Sequence, residues 1–347
     1  MKFQDRLIEW YQIYKRDLPW RNTKDPYLIW LSEIILQQTR INQGLPYYHN
    51  FINKFPNIKY LAKAKEQDVL NLWQGLGYYS RARNLHNTAK FIAFKLNGVF
   101  PSKFDDLIKL KGIGSYTASA IMSFAYDMPY AVVDGNVVRV LSRIFGIDIP
   151  FNTYNGSKFF HQLAKEKLIP NDNYRYNQAI MDFGALVCKP QKPICIECPM
   201  NDFCIAFNTN SISKFPLKKS KNKIKSRYFN YLIIEKNHKI LIRKRKQGIW
   251  KGMFEFPYFE SKKTINNLMF VKDKDCLKLL DPKNLNIKYS SEEYKHRLSH
   301  QLIYAKFWHI DCNKFNIENS FYISKKQFNK YPVYKLIEKY FNTINID

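Results

Sequence analysis

Leu107-Ile108-Lys109-Leu110-Lys111-Gly112-Ile113-Gly114-Ser115-Tyr116 is the stretch on which the reading of the fold turns. The chain holds only 12 glycines, so a Gly-x-Gly pair is an uncommon event in it. Helical apolar spacing runs up to Leu110 and resumes from Tyr116 to Phe124, which makes the glycines a turn between two helices. Such a turn offers bare backbone N–H groups and a helix N-terminus to an anion, which suits a phosphate and reads no base. An isolated Gly-x-Gly serves equally as a tight turn and nothing more, and Gly75-Leu76-Gly77 is a second example.

Outward from this turn the pattern stays mostly helical from Leu18 to about Asn210. Leu28, Leu31, Ile34, Ile35 and Ile41 make one apolar face, and Val137, Val138, Leu141 and Ile144 another. Residues 1–10 mix Lys2, Asp5, Arg6 and Glu9 with apolar side chains, an amphipathic pattern without the continuous apolar core of a signal peptide. No apolar run reaches membrane-spanning length. A cytoplasmic protein with no membrane partner is expected. The 347 residues allow two or three domains. The net charge of +27, from 56 basic and 29 acidic residues, sets up a field that attracts polyanions, with nucleic acid first among them. A lysine-rich compositional bias would supply part of that charge without function, so the motifs have to decide.

Cys188, Cys195, Cys198 and Cys204 fall in one short loop, with six, two and five residues between successive members. That compactness suits thiolates converging on a metal centre rather than disulfides. Four cysteines hold either zinc or an iron–sulfur cluster. Zinc sites usually show two separated C-x2-C pairs, and this loop has one. Cys276 and Cys312 read as ordinary thiols.

The segment Lys214–Lys251 carries 14 basic residues against the single acid Glu235, and its first part, Leu217–Ser226, reads as a linker. Beyond it, alternating or β-branched runs at Tyr228–Glu235, Lys239–Arg243 and Leu302–Ile310 predict strands. Two carboxylates stand out in the helical half. Glu33 interrupts an apolar helix, where loss of water raises its pKa and keeps a proton available, the property of a general acid. Asp134 follows Ala131-Val132-Val133 and opens a helix, so it reads as an N-cap and as a candidate catalytic anion.

Five stretches in order, Leu18-Pro19-Trp20-Arg21, Trp30 to Thr39, Gly75-Leu76-Gly77-Tyr78-Tyr79, Val133-Asp134-Gly135-Asn136-Val137 and Asn177-Gln178-Ala179, resemble the MutY family of adenine DNA glycosylases. The cysteine spacing is similar to the loop that holds a [4Fe-4S] cluster in the endonuclease III and MutY superfamily, and the glycine turn looks like its helix-hairpin-helix. The resemblance implies a mainly α catalytic region with an iron–sulfur loop, plus a C-terminal α+β Nudix-like domain. The implied division is a glycosylase region at 1–212 with the cluster loop at 188–204, a basic linker at 213–226, and an 8-oxoguanine recognition domain at 227–347. The implied activity is excision of adenine paired with 8-oxoguanine or guanine in double-stranded DNA, by a monomer associated with the nucleoid. Glu33 is then the acid that protonates adenine, Asp134 the stabiliser of the oxocarbenium-like sugar, and Tyr116 and Asn136 its orienting partners. Trp20, Arg21 and Gln178 match positions lining the adenine pocket. Gln38, Leu76 and Tyr78 match residues at the DNA, Tyr78 by stacking, and Gly112 and Gly114 match the phosphate-binding hairpin.

The C-terminal part is similar to the Nudix-like domain of these proteins through Gly248 to Pro257 and Leu298-Ser299-His300. It lacks the Glu-rich helix of Nudix hydrolases, so pyrophosphate hydrolysis is not expected. Ser299 and His300 could read the altered edge of 8-oxoguanine, whereas Leu298 stands where the family usually has phenylalanine. The nearest alternative is an endonuclease III-like glycosylase and AP lyase acting on oxidised pyrimidines. That enzyme needs a lysine where this chain has Tyr116, and a phenol cannot form a Schiff base. A monofunctional glycosylase follows, with Lys111, where relatives often have proline, leaving residual lyase activity open. A non-catalytic iron–sulfur DNA-binding protein is the other alternative.

Overall fold

The glycine turn is built as a hairpin for local reasons. Gly112 has φ +83°, and a Cβ there would lie 2.8 Å from Cβ of Asn84, so only glycine both adopts the backbone and fits. Leu110 and Ile113 turn inward and are buried. The helix before the turn is Phe104–Leu107, so the apolar run through Leu110 extends past its end. After the turn Gly114 is the N-cap of the helix Ser115–Phe124, and its carbonyl accepts from the N–H of Ala118 at 2.9 Å.

The computed structural model describes residues 2–219 and 224–344. They fall into two compact units, one within Met1–Lys63 and Asn84–Ser220, the other within Ala64–Arg83 and Lys221–Asp347. Residues 220–223 of the basic linker and 345–347 of the C-terminal domain lie outside the described residues.

The first unit is helical. Its central helix, Gly135–Phe145, is buried from Val137 to Ile144 and packs on the helices Tyr154–Glu166 and Asn173–Leu186. Val137, Leu141 and Ile144 join Phe3, Leu7, Trp10, Phe160, Tyr176 and Phe183 in one core. Gly184 lets the Asn173–Leu186 helix come close at Asn136, because a Cβ at 184 would sit 2.7 Å from Cβ of Asn136. The helix Pro26–Leu36 starts at the N-cap Asp25, whose side chain accepts from the N–H of Tyr27, with Pro26 in the first turn. It is buried from Ile29 to Ile35, and Glu33 is its one charged residue.

The second unit is a mixed sheet. Its strands are β1 Lys225–Lys236, β2 Lys239–Lys244, β3 Phe254–Glu255, β4 Tyr258–Ser261, β5 Leu285–Ser290, β6 Tyr294–Arg297, β7 Gln301–Cys312 and β8 Ser320–Ser324. The main order is β3-β2-β1-β7-β5, with β4 on β1, β6 on β7 and β8 on β2. The three expected strands all form, within β1, β2 and β7. β1 and β7 pair in parallel, from Lys225 opposite Gln301 to Ile234 opposite Ile310. One face buries Leu232, Ile234, Phe270, Trp308 and Cys276. On the other face Phe307 stacks on Tyr340 of the helix Lys335–Phe341, with centroids 3.6 Å apart.

The segment Ala64–Arg83 belongs to this second unit. Gln67 Nε2 donates to the Lys330 carbonyl at 2.7 Å, Arg83 Nη1 to the Lys251 carbonyl at 2.5 Å, and the N–H of Val333 to Gln74 Oε1 at 3.3 Å. Among the described residues no helix is long and apolar enough to cross a membrane.

Candidate active site

Glu33 and Asp134 open onto one cavity of about 1090 Å³, lined also by Trp20, Arg21, Gln38, Gly114 and Tyr116. The space is on the scale of small-molecule sites. The elements that build it are the Pro26–Leu36 helix, the hairpin with the start of Ser115–Phe124, and the N-terminus of Gly135–Phe145.

Glu33 is buried, and loss of water pushes its carboxyl up to about 7. The hydrogen bond from Tyr116 pulls it down, the nearby Asp134 pushes it up, and Arg21 pulls it down again. Near neutral pH the group therefore still has a proton to give. Tyr116 has its hydroxyl end in the same dry place, and burial followed by the two carboxylates holds it well above the ordinary phenol range. It is a neutral hydroxyl throughout the useful pH range.

Asp134 is the N-cap of its helix. Its Oδ1 accepts the N–H groups of Asn136 and Val137, both at 2.8 Å, and its Oδ2 accepts Nδ2 of Asn136 at 2.7 Å. Burial raises its pKa, opposed by these bonds and by Arg139. Each of these donors favours the carboxylate form, so the sequence expectation of a residue that is both cap and candidate anion has a geometric basis.

The cavity wall holds a cluster of which sequence reading named Arg21 and missed Arg16 and Asp182. Asp182 is fully buried and binds two guanidinium groups. Arg21 donates Nη1 to its Oδ2 and Nη2 to its Oδ1, both at 2.6 Å, and Arg16 donates Nε to its Oδ1 at 2.8 Å. Arg16 and Arg21 both line the cavity, and Asp182 holds them there. An aspartate inside Ala179-Ile180-Met181-Asp182-Phe183 was the available signal, of the same kind that singled out Glu33. Trp20 is buried and meets Tyr48 edge to face at 5.1 Å. Gln178 is not among the lining residues: its Oε1 accepts the Tyr11 hydroxyl at 2.8 Å behind the wall, while Met181 and Ala185 of the same helix line the cavity.

The four loop cysteines line a second, small cavity together with Arg143. Burial pushes the Cys198 thiol up to about 12 and raises Cys195 and Cys204. Thiols kept neutral by burial release their protons to solvent when they bind a metal centre. Among the described residues no three His, Cys, Asp or Glu side chains close around a single ion position. Four thiols gathered on one small cavity, with Arg143 beside Cys188, are a donor set that an iron–sulfur cluster can take.

Two buried arginines tie this loop to the helix that Asp134 caps, and the sequence reading missed them. Arg139 donates Nη2 to Asn136 Oδ1 at 2.8 Å and Nε to the Cys188 carbonyl at 2.7 Å. Arg143, one turn on, donates Nη1 to the Lys189 carbonyl at 2.7 Å and lies 3.6 Å from Cys188 Sγ. The second unit gathers other predicted residues. Leu298 donates its N–H to the Gln301 carbonyl at 2.8 Å in the turn joining β6 to β7, and Ser299 and His300 are exposed at its tip. The Tyr78 hydroxyl is hydrogen-bonded to Ser299 Oγ. Tyr78 is about half exposed, whereas Leu76 is buried.

Residues 31–155 match the family described as HhH-GPD superfamily base excision DNA repair protein, and residues 230–343 match the NUDIX domain family. The adenine DNA glycosylase of Buchnera aphidicola subsp. Baizongia pistaciae is 38% identical over 320 residues, which is 91% of this chain and 88% of that one. The human adenine DNA glycosylase is 39% identical over 213 residues, 59% of this chain and 39% of that one. Among solved structures, a thermostable thymine-DNA glycosylase matches with a TM-score of 0.56 at 29% identity, covering 60% of this chain and 95% of that one. A non-covalent endonuclease III–DNA complex matches in fold, with a TM-score of 0.51 at 22% identity over 60% of this chain and 99% of that one. With its helical unit carrying the hairpin and its sheet unit matching a Nudix domain, this chain belongs to the adenine DNA glycosylase family.

Proposed function

We propose that this enzyme removes adenine paired with 8-oxoguanine, or with guanine, from duplex DNA by swinging the base into the cavity of the first unit and hydrolysing its N-glycosidic bond. The observation that carries this reading is that Glu33 and Asp134 share one cavity, in which burial raises the pKa of both while the three N–H donors on Asp134 favour its carboxylate form. Glu33 passes its proton to N7 of the base. The glycosidic bond then breaks, and its electron pair leaves with the neutral adenine. The oxocarbenium-like sugar faces the Asp134 carboxylate, fixed by two N–H groups and the Asn136 amide. Water adds to the sugar carbon, passes its surplus proton to the Glu33 carboxylate, and leaves an abasic site. Tyr116 orients Glu33 through its hydrogen bond, and as a phenol it forms no Schiff base, so the strand stays intact. Trp20 and the Arg16–Asp182–Arg21 cluster line the space for the base, and the hairpin at Gly112 and Gly114 offers N–H groups to a phosphate.

Cys188, Cys195, Cys198 and Cys204 would hold the [4Fe-4S] cluster, which supplies iron–thiolate cross-links that fix the loop on which Arg139 and Arg143 rest. Tyr78, Ser299 and His300 are the residues we assign to the partner base. The shared hydrogen bond of Tyr78 and Ser299 supports this, because it unites two positions 221 residues apart. We further propose that the protein acts as a monomer in the cytoplasm, at the nucleoid, and that 1–212 and 227–347 are its catalytic and recognition regions.

Labelled duplexes carrying 8-oxoguanine·adenine, guanine·adenine or thymine glycol test the reading. The expected product is an alkali-sensitive site at the adenine alone. Alkali-independent cleavage at thymine glycol would replace it with endonuclease III-type chemistry, and no product from any duplex would leave a DNA-binding protein. A yellow-brown protein with broad visible absorbance supports the cluster, and a colourless one with bound zinc contradicts it.

A further inference from the structure

Beyond the catalytic cavity, one site on the sheet unit has a built character. β2 runs out through Arg243-Lys244-Arg245-Lys246, and with Lys278 these residues line a cavity of about 390 Å³. Glu255 and Glu318 are the acids on its wall, so five cations face two anions. Glu255 is fully buried and already engaged. It accepts Arg243 Nε at 3.3 Å, Arg245 Nη1 at 2.7 Å and the Tyr334 hydroxyl at 2.6 Å. Its effect is to clamp both guanidinium groups in place.

Arg243 also lies over the Tyr258 ring, 4.8 Å from its centroid. Held by its Nε and by that ring, with a side chain 22% exposed, it leaves two Nη groups without a hydrogen-bond partner among the described residues. A fixed fork of N–H groups is what two oxygens of one phosphate take. Lys246 pairs with Glu318 and Lys278 with Asp275, all four well exposed. Such surface pairs hold little energy, so both ammonium groups can turn to an anion. Compositional drift does not account for this arrangement. The chain has 13 arginines among 56 basic residues, hence 43 lysines, yet both side chains gripped by Glu255 are arginines.

We propose that this cavity binds a phosphoryl group, with the Arg243 fork on its oxygens and Lys246 and Lys278 balancing its charge. The phosphoryl group belongs either to a backbone phosphate of the DNA or to a free di- or triphosphate. Inorganic pyrophosphate titrated into the full-length protein by calorimetry is the direct probe. One saturable site is expected, weakened about tenfold or more in Arg243→Gln and Lys246→Glu. Lys246 is exposed, so its variant folds even if Arg243→Gln does not. To separate the sources, undamaged duplex binding is measured against salt for Lys246→Glu and for Lys263→Glu, the same charge change outside the cavity. A DNA source predicts that pyrophosphate competes with duplex and that Lys246→Glu alone lowers the salt slope by about one. A free source predicts equal duplex binding by the two variants, and a Tm raised by ATP in the wild type but not in Lys246→Glu. Absence of a saturable pyrophosphate site, or a site unchanged in both cavity variants, would overturn the proposal.

Discussion

Among the described residues each unit buries one glutamate amid aromatic and apolar residues, and each glutamate has a tyrosine hydroxyl beside it. Glu33 has Tyr116 and, among the described residues, no arginine hydrogen-bonded to its carboxyl, and its pKa rises to about 7. Glu255 has Tyr334 and, in addition, Arg243 and Arg245 within hydrogen-bond distance. The lesson is that burial alone does not make a carboxylate reactive. Burial with matched cations ties it into the framework, as at Asp182, whose two arginines hold its pKa below the ordinary range against the burial that raises it. Burial without them leaves a proton to be given away.

Exchanging the two glutamates for glutamine breaks this comparison most directly. Glu33→Gln should bind duplex normally and lose excision by at least ~10²–10⁴-fold in single-turnover assays, the usual scale of general acid catalysis. Glu255→Gln should instead cost ~3–5 kcal/mol in denaturant unfolding, because it strands two arginines, one of them with its side chain 5% exposed. Its excision, measured where it remains folded, should stay near wild type. If the losses came the other way round, the roles of the two buried carboxylates would be exchanged.

The pH dependence sharpens the contrast. A carboxyl raised from 4.5 to about 7 favours the folded state while protonated. The stability it contributes is full below pH 4.5 and is lost as pH rises to about 7 and beyond. Relative to wild type, Glu33→Gln should therefore gain up to ~3 kcal/mol between pH 4.5 and 8. Equal changes in the two proteins across that range, followed by chemical unfolding, would show that Glu33 titrates as an exposed acid.

Local sequence distinguishes these two sites only in part. Glu33 stood out as a charge inside Ile29 to Leu36, and Asp134 as a polar residue after an apolar run, because both signals are contiguous. Phe254-Glu255-Phe256 has the same look, yet what decides its character is Arg243, Arg245 and Tyr334, and Tyr334 is 79 residues away. The Arg16–Asp182 pair spans 166 residues and was invisible for the same reason. Strands β1, β2 and β7 were legible from alternation, but the parallel pairing of β1 with β7 was not, since nothing in either strand encodes its neighbour. Nor does composition change at Ala64 or Arg83 to mark that segment as part of the sheet unit, where hydrogen bonds to Lys251, Lys330 and Val333 hold it. The helical face through Leu110 was read one turn too far, because the requirement of Gly112 for positive φ overrides apolar spacing.

The smallest expected effects come from the two tyrosines, and they separate the two kinds of site most finely. Tyr334→Phe removes one of three donors to Glu255 and the hydroxyl partner of the buried Tyr231, but leaves both arginines, so unfolding should cost ~1–3 kcal/mol. Tyr116→Phe removes the hydrogen bond that lowers the Glu33 pKa while desolvation and Asp134 remain. The break in the pH–excision profile should then move upward from about 7, with little change in stability at pH 5, where Glu33 is protonated in both proteins. At Glu33 a single hydroxyl tunes the proton affinity of the acid, whereas at Glu255 the hydroxyl is one of three donors that hold the framework. An unmoved break in Tyr116→Phe would mean that the Tyr116 hydroxyl does not tune the acid whose titration is read.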